Sequence, residues 1–343
     1  MKKYIFMILS AIVLLTSCTH KELCELHRDH AHKYHIEIIA DYRYDWEEWY
    51  GGTDWKQNWP ENYIAYDDLR PGKPSKPSGL RVVNYGTTNN YNLHNVDADG
   101  GVVTLYEGAN NILLYNNDTE YIIFSRQQSG NSATTRATTR TKTRSTYKAS
   151  KYANEGEDTM TPPDMLYGNY IEGYVPEKVA DPTPVEVTLQ PLVYTYKIRY
   201  EFAEGLEYAA IARGALSGMA RSVTMDTGET SKEGATLIYD CEMTDFGARA
   251  LVNTFGIPDF PNVNYPTKAD GRKHALNLEI LMRNGKIINF DFDVTDQVLA
   301  QPHGGVIVVD GIVIEDSTGT SGSGSFDVEV NGWGEYEDII LPF

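Results

Sequence analysis

Cysteine is scarce in this chain. Its 343 residues hold three, Cys18, Cys24 and Cys241, too few for a disulfide-built scaffold. Positive charge is also short: 30 Lys and Arg stand against 48 Asp and Glu, a formal net charge of −18. Such a surface repels nucleic acid and anionic lipid, so neither is a partner held by charge. Beyond the first residues no stretch reaches eighteen consecutive apolar positions, so nothing later in the chain reads as a transmembrane helix. Long helical periodicity is nearly absent. So are the motifs of catalysis: there is no Gly-x-Ser-x-Gly elbow, no His-Glu-x-x-His and no phosphate-cradling loop. The glycine-rich stretch Gly319 to Gly324 lacks the Lys-Ser/Thr that a phosphate site needs. The expectation is a non-enzymatic protein without a cofactor.

What is present starts at the first residue. Lys2 and Lys3 form a short basic region, and Tyr4 to Leu15 an almost unbroken apolar one. Twelve residues reach only ~18 Å as a helix, short of a ~30 Å hydrocarbon core. Residues 1–17 therefore read as a signal peptide. Leu15-Thr16-Ser17-Cys18 resembles the bacterial lipobox, in which the cysteine thiol is acylated and the chain is cut before it. Cys18 is the expected lipidation site, palmitate included, and several acyl chains together anchor stably. Thr19 stands where many inner-membrane lipoproteins carry Asp, which points to the outer membrane, surface-exposed. Cleavage removes two lysines and no acid, moving the charge to −20. Of the remaining cysteines, Cys24 and Cys241 could pair in an oxidising compartment, although their spacing does not establish it.

The mature chain alternates apolar and polar residues with period two. Residues 18–34 are a polar, His-rich, lipidated tether. In Ile36 to Tyr44 the even positions are apolar or aromatic and the odd ones mostly charged, the pattern of a half-buried strand. Leu80 to Tyr85, Val102 to Glu107, Asn111 to Tyr115 and Tyr121 to Arg126 read likewise, the last two flanking Asn116-Asn117-Asp118 as a hairpin cue. Residues 127–150, rich in Thr and Arg, lack large apolar side chains and read as a mobile loop. Leu192 to Phe202 alternates most clearly of all, with Thr195, Lys197, Arg199 and Glu201 on the polar face. Asn284-Gly285 and Asp310-Gly311 read as tight hairpin turns. Two tandem antiparallel β-sandwiches are the expected fold, residues 35–185 and 186–343.

Four of five tryptophans lie within fourteen residues, and Trp49, Tyr50, Trp55 and Trp59 are candidates for stacking on sugar rings in a glycan-binding loop. Trp46 continues a strand and reads as core. His27, His30, His32 and His35 have a spacing that could hold Zn²⁺ or Cu²⁺, but a polar tether pre-organises little, so a solvated spacer is preferred and no metal is expected. Asp97-Ala98-Asp99-Gly100 has the start of a calcium loop without its closing Glu, and reads as a turn.

Several patches together carry a family resemblance: Cys18 to Cys24, Asp45-Trp46, Leu113 to Glu120 (LLYNNDTE), Pro163 to Gly168 (PDMLYG), Ala215 to Ala220 (ALSGMA), Phe290 to Asp296 (FDFDVTD) and Val330 to Trp333. In this order they resemble an uncharacterised lipoprotein family of gut Bacteroidales, domain of unknown function 5119, related to the fimbrillins. The resemblance implies transthyretin-like β-sandwiches of fimbrillin type and a surface or adhesion role. It implies other fimbrial subunits, or host or bacterial surface ligands, as partners. It also implies assembly by strand exchange, with Ile36 to Tyr44 as the exchanged strand and Ile339 to Phe343 as a donor. Asp158-Thr159-Met160 and Asp316-Ser317-Thr318 resemble the O-glycosylation sequon of that order, making Thr159 and Ser317 candidate acceptors.

Overall fold

The computed structural model of the chain describes residues 33–43, 76–86, 90–129, 132–144, 147–260, 271–302, 304–315 and 337–339. The strands of the first half are β1 (His35–Tyr42), β2 (Gly79–Tyr85), β3 (Tyr91–Asp97), β4 (Gly100–Thr104), β5 (Asn110–Asn116), β6 (Ile122–Ser129), β7 (Ser132–Thr139), β8 (Thr141–Thr143), β9 (Asp158–Met160), β10 (Tyr167–Tyr174) and β11 (Thr183–Pro191). Those of the second are β12 (Tyr194–Glu204), β13 (Ala209–Ala220), β14 (Ser222–Thr224), β15 (Gly234–Met243), β16 (Gly247–Thr254), β17 (Ala275–Met282), β18 (Ile287–Asp293), the short helix α1 (Thr295–Leu299), β19 (Gly305–Val313) and β20 (Glu337–Ile339). The protein is all-β, as its period-two patterning requires.

Seven strands close into a barrel in the order β1-β11-β10-β5-β2-β3-β4. Ile36 and Ile38 point inward, fully buried, while Glu37 and Ile39 point out. They meet Leu80, Val82, Ile112 and Leu114 in the barrel interior. Pairing is mostly antiparallel, but β1 runs parallel to β11, β12 to β19 and β9 to β15. The turn expected at Asp97 to Gly100 joins β3 to β4. Gly100 there has φ 110°, and a Cβ on it would lie 1.9 Å from the Ile38 carbonyl oxygen, so only glycine fits.

A second, ten-stranded sheet runs β18-β17-β13-β15-β16-β12-β19, with β8, β9 and β20 attached. Its two ends share one core, in which Tyr196, Ile198 and Tyr200 meet Leu216, Tyr239 and Leu278. The Tyr200 and Tyr239 hydroxyls are hydrogen-bonded at 2.9 Å. A third sheet, β14-β7-β6, lies between the two. It packs Phe124, Ala137, Val223 and Met225 on the outer wall of the barrel at Val83, Tyr85, Leu113 and Tyr115.

The structure departs from the sequence reading at four places. The loop expected over residues 127–150 is largely strand: β6 and β7 pair along their length, and β7 also pairs β14. Threonine is β-branched and strand-forming, and Thr135, Ala137 and Thr139 alternate inward against the barrel wall. Asn116 to Asp118 is not a hairpin, because β5 stays in the barrel between β2 and β10 while β6 leaves it to pair β7. Its side chains instead hold a corner. The Asn116 amide donates to Asp118 (2.7 Å) and to the Met165 carbonyl (3.1 Å) and accepts from Tyr167 N–H (2.7 Å). Asp164 accepts the N–H groups of Glu120 and Tyr121. Thus two of the recurring sequence patches, LLYNNDTE and PDMLYG, bind each other. Asp310-Gly311 is likewise no hairpin: β19 continues through it, with a register shift against β12 and Gly311 at φ 70°, the mark of a bulge. Finally, Lys197 and Arg199, expected on a solvated face, are only 6% and 4% exposed. The Asn284-Gly285 turn does join β17 to β18 as a hairpin.

Candidate functional site

The chain between β8 and β9 is a strap over the outer face of β13 and β17. Arg144 forms an ion pair with Glu279 of β17, both side chains nearly closed off from water. Further along, Asn154 exchanges hydrogen bonds with the backbone of Lys273. Glu157 accepts from Gly218 N–H at 2.9 Å and from the Thr236 hydroxyl at 3.0 Å. Tyr147 is buried beneath the strap, and burial, reinforced by nearby Asp291, pushes its phenol up to about 12. Burial also raises the Glu279 carboxyl, although Arg144 works against the shift. Tyr147 Oη, Ser217 Oγ and Glu279 Oε2 are buried without a hydrogen-bond partner. The strap is therefore fastened at separate polar points rather than zipped.

Where the strap turns into β9 a cleft of about 550 Å³ opens, lined by Asn154, Glu157, Asp158, Arg221, Glu233 and Arg272. Its charges are already matched. Arg221 lies 3.1 Å from Asp158 and 3.9 Å from Glu233, and Arg272 lies 3.6 Å from Glu157. A second cleft of about 510 Å³, with Arg136, Thr230, Lys232 and Phe260, shares Glu233 with the first. Paired donors and acceptors at an open surface suit recognition of a polar ligand. A carboxylate accepting two hydrogen bonds, as Glu157 does, is poorly placed to act as a base.

The candidates named from sequence are dispersed. Cys18, Cys24, His27, His30, His32, Trp49, Tyr50, Trp55, Trp59 and Ser317 lie outside the described residues. His35 is half-buried at the start of β1, with Nε2 unpartnered, and among the described residues no three His, Cys, Asp or Glu converge on a metal position. Cys241 sits on β15 opposite Ala212 as a free thiol, its pKa raised by burial, which makes it a poor nucleophile for thiol exchange. Thr159 was expected in an accessible turn. Instead it lies within β9, paired with Thr236 of β15, and its hydroxyl donates to the Lys142 carbonyl. The ladder formed with β15 put it there, a long-range pairing that no local pattern announces. Ile36 to Tyr44 was offered as an exchangeable strand, yet both edges of β1 are taken, by β11 and β4. The Arg144–Glu279 contact joins residues 135 apart and left no signal in the sequence. Lys197 also escaped notice: burial first, then Arg249 and Arg199, lower its ammonium to about 8.

A family model described as a domain of unknown function (DUF5119) matches residues 68–240, just over half of the chain. The fold is similar to the crystal structure of a candidate adhesin from Bacteroides ovatus ATCC 8483. That likeness has a TM-score of 0.55 at 18% identity and covers 84% of this chain and 94% of that one. The fimbrial anchor protein Mfa2 from Porphyromonas gingivalis is more distant, with a TM-score of 0.41 at 10% identity over 80% of this chain and 90% of that one. No curated protein matches the sequence.

Proposed function

The chain belongs to the DUF5119 family, and from that premise we propose that it is a non-enzymatic, lipid-anchored protein of the cell surface, an adhesion or fimbria-associated subunit. The observation that carries this reading is the architecture shared with the Bacteroides ovatus adhesin over 84% of the chain. The lipobox at Cys18 supports the anchor, and the matched charges of the two clefts favour recognition over catalysis. If assembly uses strand exchange, β1 is the strand to exchange. It follows the tether directly, and its departure would bare the edges of both β4 and β11 at once.

The test is made in the native host. Metabolic labelling with a palmitate analogue is expected to mark the wild type and not Cys18→Ala. On intact cells, surface labelling with electron microscopy is expected to place the protein on filaments or at their bases, and a pull-down to recover fimbrial subunits. Protein labelled only after lysis sinks the surface reading. Binding on a glycan array that is lost in Trp55→Ala, without filament association, would replace the fimbrial role with glycan recognition.

A further inference from the structure

Sheet β14-β7-β6 has an open edge. Among the described residues β6 pairs β7 and nothing on its other side. The place of that edge is given by three contacts. Phe124 of β6 stacks on Tyr115 of β5 with ring centroids 4.6 Å apart. The Tyr85 hydroxyl of β2 is 3.0 Å from Thr135 Oγ1 of β7. The Arg126 guanidinium of β6 lies 4.6 Å over the Tyr91 ring of β3. The sheet thus crosses the barrel wall with β7 above β2, and β6 reaching β3. Beyond β6 the wall continues onto β3, β4 and β1.

That uncovered wall is apolar. Tyr91 and Leu93 of β3, Val102 of β4 and Ile39 of β1 are 45%, 40%, 53% and 45% exposed. They belong to neighbouring strands, and the register sets Val102 opposite Glu37 and Ile39 opposite Gly100 on the same outward side. Single exposed apolar residues are ordinary, but a row of four beside an unpaired edge is not. The same wall, where β6, β7 and β14 cover it, is fully buried at Val83 and Leu113. One more strand on β6, ~4.8 Å further along the sheet, would continue that interface over Leu93 and Val102.

From this juxtaposition we infer that β6 and the Leu93–Val102 wall form a docking site for an extended segment of another protein. The segment adds to the β6 edge as a strand, with apolar side chains at alternate positions facing the barrel and basic residues among the rest. Backbone hydrogen bonds to β6 supply affinity, and the wall selects the alternation. The basic character follows from exposed Glu37 and Asp97 beside the wall and from the net charge of −18. This inference does not rest on the anchor or on fimbrial assembly.

The probe is a synthetic nine-residue peptide of alternating valine and lysine, set against a block peptide of the same composition that cannot present one apolar face. The mature full-length chain is titrated with each and followed by amide hydrogen exchange. The alternating peptide is expected to bind more tightly and to slow exchange on the unpaired side of β6. Leu93→Gln with Val102→Gln, both exposed positions, is expected to weaken it about tenfold, the effect of losing two partly buried side chains, while thermal unfolding stays unchanged. Equal binding of the block peptide, or protection absent from β6, overturns the inference. Concentration-dependent self-association that the same double variant abolishes would assign the surface to a second copy instead.

Discussion

Glu279 and Arg144 face each other where water barely reaches, and a buried ion pair is a poor bargain until one member is removed. An uncompensated buried charge typically costs about 3–5 kcal/mol, so Arg144→Ala should lower stability by an amount of that order, read from the urea midpoint. The pH dependence has a definite sign. Burial raises Glu279 above its ordinary 4.5, so the folded state holds the proton more tightly than the unfolded one. Its contribution is therefore fully present below about pH 4.5 and lost as pH rises through the raised value. Glu279→Gln, which keeps the shape without the charge, should remove this dependence. Relative to the wild type, the variant should gain between pH 4 and pH 7. A gap in urea midpoint that stays constant across that window would show that the carboxyl does not titrate differently in the two states.

At the scale of elements, alternation was legible wherever one face is buried and the other wet, as in Ile36 to Tyr42 and in the Asn284-Gly285 hairpin. It misled where the partner lay far away in sequence. The Thr-rich stretch gave no apolar signal because threonine methyls and Ala137 suffice against a wall already built by β2 and β5, and β14 arrives from residues 222–224. Of the candidate site, only the abundance of charge could be read; its pairing across the strap could not. Protease sensitivity follows the observed elements. Arg136 and Arg140 lie in or beside paired backbone, and Arg144 is ion-paired under the strap. Limited trypsin on the folded chain should therefore spare Arg144 until global unfolding, as mass spectrometry of early fragments will tell; an early cut there would mean that the strap opens locally. Edge strands need protection as well, and β19 receives it from side chains. Gln297 exchanges two hydrogen bonds with the Val308 backbone and Gln301 two with Val306, at 2.7–2.9 Å, in the manner of a neighbouring strand. Gln301→Ala strands a buried N–H and C=O at roughly 1–3 kcal/mol each. Faster hydrogen exchange at Val306 is the expected readout, with no change at the Leu278 amide.

At the scale of the whole molecule, the boundary near residue 185 separates two main sheets but not two independent bodies. Strand β14 from the second half pairs β7 from the first, and β9 pairs β15. Ala220, Val223, Met225 and Phe255 share one core with Val83, Tyr85, Leu113 and Tyr115. The strap crosses in the same direction, carrying Arg144 to Glu279 and Glu157 to Gly218 and Thr236. A fragment of residues 186–343 would thus expose the apolar side of β14, lose the neighbour of β15 and leave Glu279 buried without its cation. Each Val, Met or Phe stripped of cover forfeits about 1.5–3 kcal/mol, and whole-domain stabilities run only to about 5–15 kcal/mol. Three such residues and one orphaned charge are enough to consume most of that margin. The fragment alone should bind a hydrophobic dye and unfold without a sharp transition, and mixing it with residues 18–185 should restore cooperative melting at the temperature of the intact chain. Cooperative unfolding of the fragment by itself would show instead that the ten-stranded sheet carries its own stability, and that the β14-β7-β6 sheet and the strap are fastenings between two self-sufficient halves.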